Sequence, residues 1–154
     1  MSGFIAITSE EWIEYLKNNN KDLALFWCKK KTFKALKYGE DFYFLRRSSF
    51  KSNADRFIVG KGSYVEFRIM HSNIIWSEYG NSVGYKEKEE FLKNVKKIYG
   101  EDIADLGCIV LKNLVFYEKP VSIHECGIDF SPYIVSGKTI TNEDCEKIKA
   151  AKEY

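Results

Sequence analysis

Three long runs of aromatic and β-branched residues, at 41–47, 56–70 and 107–118, constrain the fold of this chain most strongly. Such residues favour the pleated, half-buried surface of a sheet, so the runs predict three strands. The chain has three Trp, ten Tyr and eleven Phe but only two Pro. A large core can therefore form and still leave aromatic rings for another use.

Shorter apolar runs at 4–7, 23–28 and 121–123 add two strands and a short third one. Helical patterns cover the four stretches 9–18, 72–79, 87–99 and the residues after Thr141. Thr8 and Glu11 have capping-box spacing, which predicts the start of the first helix. The pattern indicates an α+β domain, a curled β-barrel of about five or six strands with inserted helices.

No internal repeat or low-complexity linker divides the sequence. We therefore expect one domain over residues 1–141 and a C-terminal helical tail over 142–154. Gly60 and Gly62 interrupt the run at 56–70, where glycine typically marks a β-bulge or a close approach of two backbones.

The sequence has few of the residue patterns that enzymes and metal sites require. It contains no complete phosphate-binding loop and no His-Glu-x-x-His motif. Its cysteines and histidines are scattered: Cys28, Cys108, Cys126, Cys145, His71 and His124. We therefore expect no disulfide framework, no metal, no cofactor and no catalytic activity. Cys108, inside an apolar run, is interpreted as a small buried hydrophobic residue.

Charge is distributed unevenly along the chain. Residues 28–68 hold 11 Lys and Arg against 4 acids, whereas the remainder holds 13 against 18. A basic segment on an otherwise acidic domain indicates a polyanionic partner such as nucleic acid. No apolar run approaches the length of a membrane span and the first residues do not resemble a secretory signal, so we expect a cytoplasmic protein that does not contact membranes.

Aromatic rings lie beside positive charge at the end of the second strand. Trp27 ends this strand and the three lysines Lys29, Lys30 and Lys31 follow it. The indole could stack on a base while the lysines bind phosphates, or it could close the core. Trp76 and Tyr79 share one face of a short helix, where packing onto the sheet is the simpler interpretation.

Four ordered sequence strings resemble the PUA-like domain at the amino end of many HNH-type restriction endonucleases. They are FIVGKG at 57–62, WSEYG at 76–80, LGCIVL at 106–111 and SPYIVSGKT at 131–139. The likeness extends over nearly the whole chain and departs from the expected patterns at Lys61 and Tyr133. No HNH segment follows in this sequence, so the resemblance implies the recognition part of such an enzyme, with cleavage carried by another domain or chain.

The order of elements is also similar to that of EVE and YTH domains, which hold a modified base in an aromatic cage. This resemblance implies cage roles for Trp27 and Trp76, with Ser9 near the base edge. One or two of Tyr43, Tyr64, Tyr79 and Tyr85 are further candidates for the walls of the pocket. The candidate phosphate-binding residues are Lys29, Lys30, Lys31, Arg46, Arg47 and Lys51.

Together these features predict a module that binds DNA containing a methylated or hydroxymethylated base, flipped into an aromatic pocket. It would supply specificity to a modification-dependent restriction system, with a nuclease or translocase as partner. Two alternatives stay open. One is an RNA-binding PUA/EVE-like protein, and the other is an ASCH-like hydrolase of modified pyrimidine nucleosides that would use Lys138, Thr139 and Glu66.

Overall fold

The structure is a computed structural model that describes residues 2–47, 56–101, 104–131, 133–134 and 136–152. The strands are β1 (Gly3–Thr8), β2 (Leu23–Cys28), β3 (Asp41–Arg46), β4 (Phe57–His71), β5 (Asp105–Ser122) and β6 (Gly137–Ile140). The α-helices are α1 (Glu10–Asn18), α2 (Ser72–Tyr79), α3 (Lys88–Tyr99) and α4 (Asn142–Lys152). A short 3-10 helix, Gly80–Val83, follows α2.

The six strands form one mixed sheet in the order β2-β5-β4-β3-β1-β6. β1 and β3 are parallel, and the other pairs are antiparallel. The sheet curls strongly. This is evident from the rings of Phe26 in β2 and Phe42 in β3, which lie 5.1 Å apart although β5 and β4 separate these strands in the sheet. The predicted α+β fold with a curled sheet is confirmed, and within the described residues the sheet stays open between its edge strands β2 and β6.

Alternation along the strands divides the side chains between the two faces of the sheet. Phe42 and Phe44 point into the concave side, where Trp12 of α1 contacts Phe44 at a ring distance of 5.3 Å. Tyr43 and Leu45 belong to the core on the other side. The amphipathic helix α1 therefore covers the concavity of the sheet.

Helices α2 and α3 cover the part of the outer face formed by β2, β4 and β5. Phe91 and Val95 of α3 are fully buried there beside Leu25 of β2. Helix α4 packs beside β3 and β5 through the buried Ile148. The Thr141 hydroxyl accepts a hydrogen bond from the Asp144 amide at 3.1 Å, as expected for a residue that caps this helix.

Two local predictions are wrong. The segment 121–123 is not a separate strand, because Val121 and Ser122 are the last residues of β5 and Ile123 follows it. The sixth strand is β6, whose Gly137 lies so close to β1 that a Cβ there would be 2.6 Å from the Ile5 carbonyl oxygen. A short strand that begins with glycine carries little periodic signal. Thr8 does not cap α1, because its hydroxyl donates to the Ala6 carbonyl at 2.9 Å and Ser9 occupies the N-cap position.

The two glycines inside β4 behave as predicted. At Gly60 the pairing register of β4 shifts against β3 and also against β5, which is typical of β-bulges. A Cβ on Gly60 would lie 2.4 Å from the carbonyl oxygen of Val115 in β5. Glycine is therefore required there by the close approach of two backbones.

Candidate nucleic-acid interface

A cleft with a volume of about 900 Å³ opens between β1, β2 and α3, where the curled sheet is not closed. Its aromatic lining consists of Trp12, Phe26, Trp27 and Tyr85. Its polar and charged lining consists of Thr8, Ser9, Glu10, Glu11, Arg47, Asn94 and Lys97. A concave site with aromatic walls and a few polar groups is the usual form of a small-molecule or base pocket. We call it the aromatic cleft.

A second chamber of about 200 Å³ adjoins the aromatic cleft. The two spaces share Ile7, Phe26, Trp27 and Arg47, and Lys30 lines the smaller chamber. Arg47 therefore stands where the two chambers meet. A cation at that place can contact a phosphate while the attached base occupies the larger space.

Trp27 both packs and lines the cleft. Its indole Nε1 donates to the Val83 carbonyl oxygen at 3.3 Å, and its ring meets Phe91 edge to face at 5.5 Å. The indole is only half-buried, so part of it borders the open space beside Ser9. The two interpretations of Trp27, as a core residue and as a stacking surface, are thus compatible.

Four other candidates for the aromatic cage, Trp76, Tyr79, Tyr64 and Tyr43, do not line the cleft. Trp76 stacks on Phe91 at a ring distance of 6.1 Å, so its ring is used to pack α2 against α3. The Tyr79 hydroxyl accepts a hydrogen bond from Arg68. Tyr64 is 7% exposed and packs in the concave core, where burial raises the pKa of its phenol. Of the candidates for the base pocket, the structure brings together Trp27, Ser9 and Tyr85, whereas Trp76, Tyr79, Tyr64 and Tyr43 lie elsewhere.

Of the candidate phosphate-binding residues, Arg47 and Lys30 line the two chambers, whereas Lys29, Lys31 and Arg46 line neither. Arg47 lines both chambers, and the Lys30 ammonium lies 5.3 Å from the centre of the Phe4 ring at the smaller one. Lys29 lies over the Tyr99 ring, Lys31 donates to the Asp105 carbonyl at 2.8 Å, and Arg46 lies over the Phe57 ring. Lys51 is outside the described residues.

Several residues of the cleft, among them Asn94 and Lys97, were not among the sequence candidates, whereas Tyr85 was a candidate for the aromatic walls. Tyr85 follows the 3-10 helix, and Asn94 and Lys97 come from α3. Burial raises the pKa of Tyr85 to about 12, with smaller contributions from Glu11 and Glu90. Its phenol is therefore neutral at physiological pH and can donate a hydrogen bond to a ligand.

No arrangement typical of a nucleophile or a metal is present in the part of the chain that the structure describes. Burial raises the pKa of Cys28, in the smaller chamber, and that of Cys108, the latter to about 12, so both are neutral thiols. Cys108 is fully buried, as predicted. The described residues contain no group of three or more His, Cys, Asp or Glu that could hold a metal ion.

The three residues considered for an ASCH-like activity are divided between two strands that do not pair with each other. Lys138 and Thr139 are on β6, where the Lys138 ammonium donates to the Asp129 carbonyl. Glu66 is on β4 and forms an ion pair with Arg68 at 3.5 Å. None of the three lines the aromatic cleft or the smaller chamber.

No family profile and no curated protein matches this sequence. Solved structures do match its fold. ASCH from Zymomonas mobilis has a TM-score of 0.67 at 12% identity, covering 96% of this chain and 94% of its own. The N-terminal domain of Staphylothermus marinus McrB has a TM-score of 0.62 at 10% identity, covering 96% of this chain and 93% of its own.

A third similar structure is human THYN1 protein in complex with 5-methylcytosine containing DNA. Its TM-score is 0.58 at 15% identity, and the match covers 100% of this chain and 99% of that one. The chain therefore has the PUA-like fold that its sequence motifs resemble. Within the described residues no helix is both long and apolar enough to cross a membrane.

Proposed function

We propose that this chain binds DNA through a modified base, which leaves the duplex and enters the aromatic cleft. The observation that carries the proposal is the position of Trp27, which borders the cleft beside Ser9 and Arg47. A base can stack on the indole, a side-chain oxygen can meet its edge, and a guanidinium can bind its phosphate. The similarity in fold to THYN1, whose solved complex contains 5-methylcytosine DNA, supports this assignment.

The magnitudes are consistent with such a pocket. Extruding a base from a duplex costs a few kcal/mol, and stacking on an aromatic side chain returns about 1–3 kcal/mol. Burial of one methyl group adds about 0.8 kcal/mol, which is enough to distinguish a methylated base from an unmodified one several-fold. Glu10, Glu11 and Asn94 supply acceptors for the amino groups that bases carry.

The role we propose for this binding is to give specificity to a modification-dependent restriction system. The base would be methylated or hydroxymethylated, and a nuclease or translocase on another domain or chain would act on the bound DNA. The similarity in fold to the N-terminal domain of McrB supports a recognition role.

A panel of oligonucleotides with cytosine, 5-methylcytosine, 5-hydroxymethylcytosine and N6-methyladenine tests which modified base the protein binds. The same sequences as RNA test the RNA-binding alternative.

The first prediction concerns phosphate contacts by the lysine segment. Replacing Lys29, Lys30 and Lys31 together by Ala should weaken the binding of modified and unmodified oligonucleotides by the same factor. Phosphate contacts do not depend on the identity of the base. Three lost contacts should reduce the slope of log K against log salt by about 2–3. Fluorescence anisotropy over a range of salt concentrations measures both effects.

A matched control removes three lysines of α4, Lys147, Lys149 and Lys152, which changes the net charge equally. Helix α4 packs beside β3 and β5 through Ile148, away from the lining of the aromatic cleft. This variant should keep nearly the wild-type salt slope. If both triple variants lose the same affinity, only total charge matters and the segment 29–31 is not part of the interface.

The second prediction is that this chain is a binding module without catalytic activity. Purified protein with modified DNA and Mg²⁺ or Mn²⁺ should leave the DNA uncut, because the described residues bring together no metal-binding cluster. Gel electrophoresis measures cutting. Chromatography of free modified nucleosides measures the alternative activity, and hydrolysis that Lys138→Ala abolishes would identify an ASCH-like enzyme.

A further inference from the structure

An exposed isoleucine lies at the rim of the aromatic cleft. Ile98, in the last turn of α3, is 47% exposed and lines the cleft together with Asn94 and Lys97. The contacts of α3 fix which way it faces, because Phe91 and Val95 are buried against the sheet. Ile98 follows Phe91 by seven residues, about two turns, so it lies on the same side of the helix as Phe91, at the end where that side is exposed at the rim of the cleft.

Positive charge continues from this rim along α3. Lys93 and Lys97 are four residues apart, as are Asn94 and Ile98, so these four residues form one continuous helical surface. Neither Lys93 nor Lys97 forms an ion pair with a described residue. An exposed apolar side chain with unpaired lysines to one side of it, beside a base-sized cleft, fits the chemistry of a DNA duplex, in which stacked bases lie next to rows of phosphates.

Flipping a base leaves a gap in the base stack. Proteins that deform DNA often insert an apolar side chain, commonly Phe, Leu, Ile or Met, between base steps. We infer that Ile98 is such a wedge. It enters the duplex beside the nucleotide whose base occupies the aromatic cleft, while Lys93 and Lys97 bind phosphates that flank the gap. This inference rests on the proposed function.

The test compares duplex with single-stranded DNA. Ile98→Ala should reduce affinity for a duplex with one central 5-methylcytosine by about tenfold, since the variant loses apolar area that would be buried in the gap. Affinity for the methylated single strand alone should change less than twofold, because a single strand has no complementary stack to open. Ile98→Leu should restore duplex binding.

Ile74→Ala provides the matched control. Ile74 is also an exposed helical isoleucine, 51% accessible, but it lies on α2 and does not line the cleft. Its replacement should leave both affinities unchanged. A melting temperature within a few degrees of wild type for each variant confirms that the fold is intact.

Two other results would have different meanings. Equal losses on duplex and single strand, or none on either, overturn the wedge while leaving the cleft assignment intact. Equal wild-type affinities for 5-methylcytosine, 5-hydroxymethylcytosine, N6-methyladenine and unmodified DNA overturn the proposed function itself, and with it the role of Ile98.

Discussion

Replacing Trp27 by alanine should weaken binding of the preferred modified oligonucleotide by about 5- to 150-fold, which corresponds to the loss of about 1–3 kcal/mol of stacking. Binding of the unmodified oligonucleotide should change little, because phosphate contacts account for most of it. Trp27→Ala should therefore reduce the ratio of the affinities for the modified and the unmodified oligonucleotide more than it reduces the general affinity for DNA. Fluorescence anisotropy with both oligonucleotides at one salt concentration measures this.

Trp76→Ala is the matched control for this result. Both indoles contact the Phe91 ring, so each truncation should lower the melting temperature. Only Trp27 lines the aromatic cleft, however, and only its replacement should change the ratio of the two affinities. Equal losses on both oligonucleotides in Trp27→Ala would mean that the residue is solely part of the core.

The second large effect concerns stability. Gly84→Ala should lower the free energy of unfolding by about 3 kcal/mol, from a left-handed backbone and an overpacked contact. Gly84 has φ 97°, and a Cβ there would lie 2.2 Å from Cδ1 of Trp12. Because Trp12 is 4% exposed and lines the cleft, its ring cannot move without disturbing the core or the site. Denaturant unfolding measures the change.

Gly100→Ala separates the two contributions. Gly100 ends α3 with φ 82°, close to the value at Gly84, but nothing lies within 4 Å of the added Cβ. Gly100→Ala should therefore lower the free energy of unfolding by only about 1 kcal/mol, which is the contribution of the left-handed backbone alone. If the two variants are equally unstable, the contact between Gly84 and Trp12 is not tight.

Much of the fold could be predicted because its strands carry strong local signals. β3, β4 and most of β5 are dense in aromatic and β-branched residues, and the bulge at Gly60 follows from glycine inside such a run. β6 could not be found in this way. It is four residues long, and what makes it a strand is the close approach of Gly137 to β1, a tertiary contact.

The cleft could be predicted only in part. Trp27 and Ser9 lie together because one is the second-last residue of β2 and the other directly follows β1, and both positions can be read from the order of elements. Asn94 and Lys97 join them only because α3 packs over β2, and Tyr85 lies in the segment that leads into this helix. The spacing within α2 puts Trp76 on one face of that helix, but only the packing of α2 against Phe91 decides what that face contacts.

The structure of the protein bound to a duplex with one central 5-methylcytosine, or the panel base that binds most tightly, tests the central claim most directly. We expect the modified base outside the duplex, stacked on Trp27 with its edge near Ser9 and its phosphate near Arg47. A modified base that remains stacked in the duplex, or one held elsewhere on the protein while the aromatic cleft stays empty, would contradict the account.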